Sequence, residues 1–92
     1  MNPGNKTFVQ GKPAMPYNIN DLGEKLLVDK LNLNPKFTNA VTEERKKNGM
    51  FERIDFFEER MENYYSNRKD KEVLNSGLNN IDSLEGTNKI TF

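Results

Sequence analysis

Met50, Ile54, Phe57, Met61 and Tyr64 recur at intervals of 4, 3, 4 and 3. This is the average period of an α-helix, and it aligns five large apolar side chains along one face. Such a seam must be buried against something. It runs for only about two heptads, too few for a self-standing coiled coil, so packing on a larger body is expected. Phe51 flanks the seam, and Phe56 and Tyr65 lie beside it or off it. These aromatics spread around more of the helix than one packing face covers. Aromatic residues and methionine are enriched at the centres of protein interfaces, so the seam reads as a partner-binding anchor. The plainer alternative is internal packing on two preceding helices. Base stacking is disfavoured, because Glu52, Asp55, Glu58, Glu59 and Glu62 dominate where a positive groove would be needed.

The rest of the chain supplies little to bury the seam. Hydrophobic residues make up 34% of the 92, charged residues make up 30%, and there is no cysteine or histidine. Disulfides are thereby excluded, and a structural zinc site loses its usual ligands. The expected fold is mainly α, with two or three short helices, an extended N-terminal arm and an irregular C-terminal tail. It is expected to be non-compact or stabilised by partners.

Three segments follow from the punctuation. Residues 1–19 read as an extended arm, broken by Pro3, Pro13 and Pro16 with Gly4 and Gly11. The stretch from Phe8 to Tyr17 is expected to lie across a neighbour as a second partner contact. Within it, Thr7 to Gln10 has the makings of an edge strand, and Pro13 to Pro16 has polyproline spacing. Residues 20–70 read as helical, over about 21–31, 35–47 and 50–68. Asp21 with Glu24 resembles a capping box, and Asn34-Pro35 pairs a favoured N-cap with a favoured first residue. Arg45, Lys46 and Lys47 fall in the last turn of the second helix, where its dipole favours cations. Glu43 and Lys47 are spaced for an i,i+4 pair, and Asn48-Gly49 makes a stop. Residues 71–92 read as a turn-rich tail. Leu74, Leu78 and Ile81 have helical spacing, but Asn75-Ser76-Gly77 interrupts them with poor helix formers. Lys89 to Phe92 alternates, and is read equally as a sheet-edge strand or a frayed end.

The fourteen asparagines suit caps and turns better than packed interiors or chemistry. Histidine, the commonest general acid–base, is missing. Ser66, Ser76 and Ser83 lack a histidine to activate them. Glu58, Glu59 and Glu62 cluster, yet a glycosidase pair needs a cleft around a sugar. They read as a solvated acidic face balanced by Arg60. No calcium-loop or phosphate-loop motif is present. No catalytic residue, cofactor or metal is expected, and the chain is read as not an enzyme.

Fourteen cations balance fourteen carboxylates. The longest basic tract, Arg45-Lys46-Lys47, follows Glu43-Glu44, so nucleic acid is not an expected partner. The longest apolar run, Leu26-Leu27-Val28, does not approach a membrane span, and no signal-peptide stretch is seen. The chain is expected to work inside the cell or within a virion. Its expected role is that of a non-enzymatic structural or interaction subunit of a larger protein assembly, such as a virus or phage particle. Its partners would be other protein subunits, copies of itself among them. Met50, Ile54, Phe57, Met61, Tyr64, Phe8 and Tyr17 are the candidate contacts, with Glu43, Arg53 and Arg60 on the rim. The competing expectation is a small regulatory protein that docks on an enzyme.

Overall fold

Asparagine and proline mark several of the helix ends. The computed structural model describes residues 15–92, in the order β1 (Tyr17–Asn18), α1 (Glu24–Leu31), α2 (Pro35–Asn48), α3 (Ile54–Tyr65), α4 (Lys71–Gly86) and β2 (Ile90–Thr91). Asn34 caps α2 as expected, its side chain accepting from the Lys36 amide at 2.7 Å, with Pro35 in the first turn. Asn32 ends α1 in the left-handed conformation (φ 57°). There its amide reaches the Val28 carbonyl and the Leu33 amide reaches Leu27, which closes the helix end. Asn88 does the same after α4 (φ 60°), with the Lys89 amide bonded to the Leu84 carbonyl at 2.8 Å. Gly49, at φ 91°, stops α2 in a conformation that glycine tolerates best.

The four helices account for 64% of the described residues. α2 is the hub: it packs on α1, α3 and α4, while α3 also packs on α4. β1 and β2 pair in parallel, Tyr17 opposite Ile90 and Asn18 opposite Thr91. The end of the arm and the end of the chain are thus tied together. Ile19 and Ile90, at this seam, are buried.

The core decides the question of compactness. Fifteen hydrophobic residues are buried in one cluster that draws on every helix and on both strands' surroundings, from Ile19 to Ile90. The expected non-compact arrangement is therefore corrected: the chain has a compact core of its own. Its centre is aromatic. Phe57 lies 4.8 Å from Phe51, 6.2 Å from Phe37 and 5.4 Å from Phe92 between ring centroids, the first two edge-on. Edge-on rings bring positive edges to negative faces.

The largest departure from expectation is at the C-terminal end. The irregular tail is the longest helix, with sixteen residues passing straight through Asn75-Ser76-Gly77. The glycine is required there by packing. A Cβ at Gly77 would sit 2.4 Å from the Phe37 ring, itself fully buried. The close approach of α4 to α2 outweighs glycine's poor helix propensity. Two smaller corrections concern helix starts. α1 begins at Glu24, with no side-chain cap from Asp21, because Leu22 is drawn into the core and its carbonyl is taken by Arg45 at 2.8 Å. α3 begins at Ile54, because Phe51 is held in a non-helical segment. The Asn20 side-chain amide there pairs with both the Phe51 carbonyl (2.8 Å) and its amide (2.7 Å). Among the described residues no helix is long and apolar enough to cross a membrane.

Candidate functional site

A helix seam can serve the chain's own core or a partner, and burial distinguishes the two. Phe57 and Met61 are fully buried inside the chain. Ile54 and Tyr64 pack against the core from its edge, half-buried, as does Tyr17 in β1. Met50 falls outside α3 and is 65% exposed, while Phe51 takes the inward place that the spacing assigned to it. The centre of the seam thus faces inward and its N-terminal end faces solvent. Phe8 and the rest of residues 1–14 lie outside the described residues, with the edge-strand reading and Pro13-Ala14 of the polyproline reading.

The three residues read as rim contacts behave differently from one another. Arg53 bridges Asp55 at 3.7 Å and stacks on the exposed Phe56 ring. Arg60 turns inward. It pairs with the buried Glu44 at 2.8 Å, donates to the carbonyls of Gly49 (2.7 Å), Met50 (2.9 Å) and Glu44 (3.3 Å), and stacks on Phe51. It closes the α2–α3 connection as a clamp. Glu43 accepts the Tyr64 hydroxyl across the same helix pair, which raises the tyrosine's pKa.

Above this clamp the C-terminal parts of α2 and α3, with the turn that follows α3, line an open groove of about 900 Å³. Lys46, Lys47 and Asn48 form one wall, Asn63, Tyr64, Asn67 and Arg68 form the other, and Arg60 with Glu44 forms the floor. Arg68 is fixed before any ligand arrives: it donates to the Tyr64 carbonyl and lies 3.9 Å above the Tyr64 ring. The groove holds four cations against two carboxylates in a chain of zero net charge. Glu44 is committed to Arg60 and Glu43 to Tyr64, so the expected Glu43–Lys47 pair does not form. Among the described residues Lys46, Lys47 and Arg68 have no carboxylate partner. Residues 1–14 contain no acidic residue. The sequence signal for this site was the tract Arg45-Lys46-Lys47, read as complementing a helix dipole. Its opposite wall carried no local signal.

The acidic cluster on α3 has one unusual member. Glu58 has Asp82 of α4 for a neighbour, and hydrogen bonding to that carboxyl, with partial burial and the nearby charges of Asp82, Glu62 and Asp55, raises its pKa from 4.5 to about 7. No three carboxylates converge on a metal-holding point among the described residues. The consequence is a stability effect. The folded state holds a proton that the unfolded chain releases, so this contribution is complete below about pH 4.5 and is lost as pH rises through about 7. Thermal melts are expected to show Glu58→Gln flattening the fall in Tm between pH 5 and 8, because glutamine keeps a donor towards Asp82 without a titrating group. An identical pH profile in wild type and variant would remove Glu58 as the cause.

No protein-family model, curated protein or solved structure matches the chain.

Proposed function

We propose that this chain is a non-enzymatic interaction protein that docks on a protein partner through the α2–α3 groove. The supporting observation is that Lys46 and Lys47 on one wall and Arg68 on the other carry no carboxylate partner among the described residues. Opposed cations across a concavity repel each other, and a ligand of opposite charge relieves that repulsion. Met50, the exposed end of the apolar seam, lines an adjoining concavity that shares Glu43 and Lys46 with this groove.

Two forms of this role differ in how the chain is found. In one it is a structural subunit of a larger assembly, in the cell or in a virus particle. In the other it is a regulatory protein that binds reversibly. The self-contained core favours the second, because a chain that buries its own aromatic centre does not need an assembly to fold. Size-exclusion chromatography with light scattering on native source material separates them. A regulator is expected to exchange between a free monomer and a complex, and a structural subunit to elute at fixed stoichiometry. In either case the double variant K46E/K47E, still helical by circular dichroism, is expected to leave the complex. A wild-type chain found only as free monomer and never in a complex, or a double variant that co-elutes unchanged, refutes the docking role.

A further inference from the structure

We infer that the occupant of the α2–α3 groove is an extended, acidic segment of a partner protein; this deepens the interaction reading and rests on it. The charge argument sets the sign. Arg60 and Glu44 neutralise each other, which leaves Lys46, Lys47 and Arg68 against the single charge of Glu43, and the cations come from both walls. A ligand lying between the walls therefore meets Lys46 and Lys47 on one side and Arg68 on the other.

The asparagines argue for extended backbone. Asn63 and Asn67 line the second wall, exposed, and their side-chain amides make no hydrogen bond among the described residues. A primary amide offers a donor and an acceptor side by side, which matches the N–H and C=O of one extended residue. This protein already uses that match internally: Asn20 holds Phe51 through both groups. Asn63 and Asn67 are placed to treat a ligand's main chain in the same way, while the lysines and Arg68 take its carboxylates. Arg68 loses little freedom on binding, because the Tyr64 ring and carbonyl already hold its guanidinium.

Nucleic acid is the weaker occupant. Glu43 stands in the groove and Glu59 and Glu62 are exposed on α3, so a phosphate chain running beyond the three cations meets negative charge. A peptide needs only a few carboxylates placed over the cations, and its main chain uses the amides.

Fluorescence anisotropy on the full chain tests this with a fluorescein-labelled oligoglutamate, an oligolysine of equal length and single-stranded oligothymidylate. The oligoglutamate is expected to bind and to weaken with added salt. K46E/K47E is expected to reduce its affinity by about tenfold or more, and Arg68→Gln and N63A/N67A by smaller factors, as exposed charge and amide contacts do. Circular dichroism confirms that each variant is folded. Oligoglutamate that fails to bind, or that binds the variants as well as wild type, overturns the inference. Tighter binding of oligothymidylate through the same lysines overturns it in favour of nucleic acid. If K46E/K47E leaves the native complex while oligoglutamate fails to bind, only the acidic segment is refuted. If the double variant stays in the complex, the docking role falls with it.

Discussion

Replacing Phe57 by alanine is expected to cost the isolated chain about 3–5 kcal/mol, measured by urea denaturation. The residue is fully buried, and its ring packs against Phe51, Phe37 and Phe92. Truncation removes the ring's transfer energy, leaves a cavity, and ends several edge or tilted ring contacts worth roughly 0.5–1.5 kcal/mol each. Small domains have only about 5–15 kcal/mol of stability in total, so the variant should be largely unfolded at modest denaturant. The neighbouring Phe56→Ala is the contrast. Phe56 is 39% exposed and stacks under Arg53, and its loss is expected to cost less than about 1 kcal/mol. If Phe57→Ala left the stability of the lone chain unchanged, the ring would belong to a partner interface and not to this core.

The same pair of residues shows how far the sequence reveals the fold. The period from Ile54 to Tyr64 identified the helix and its apolar face, because helical spacing is a local property. It did not say what that face packs against. Phe37 and Phe92 lie 20 and 35 positions from Phe57, and no local pattern joins them. The start of α2 at Asn34-Pro35 was legible because cap and first residue are chemically specific. Met50 was placed on the seam because its spacing continues the period. The helix begins only at Ile54, since Asn20, 31 residues away from Phe51, holds that segment out of the helix. α4 was hidden for a related reason: Gly77 reads as a helix breaker, and its value lies in its contact with Phe37. The groove follows suit. Lys46 and Lys47 were visible as a helix terminus, but Arg68 joins them only through the α2–α3 packing.

Arg60→Ala is expected to be the most damaging substitution of a charged residue, at about 2–4 kcal/mol. Removing one partner of a buried ion pair costs about 3–5 kcal/mol, and the lower figure allows for the 21% exposure of the Arg60 side chain. The loss has three parts. Among the described residues Glu44, buried on α2, keeps only the Asn48 amide at 3.0 Å as a hydrogen-bond donor to its carboxylate. The carbonyls of Gly49 and Met50 lose the donors that hold the α2–α3 connection. The Phe51 ring loses the guanidinium stacked 4.2 Å from its centroid. Arg60→Lys is expected to recover little, because an ammonium lacks the planar fork that serves a carboxylate, several carbonyls and a ring face together. Adding Glu44→Gln to Arg60→Ala should restore part of the loss by removing the stranded charge, and a double-mutant cycle measures how much. Lys25 and Asp29, an exposed pair at 3.6 Å on α1, give the scale for comparison: Lys25→Ala should cost less than about 1 kcal/mol. If Arg60→Ala proved as mild as Lys25→Ala, Arg60 would be a surface cation free to meet a partner, and the groove floor would have to be redrawn without its clamp.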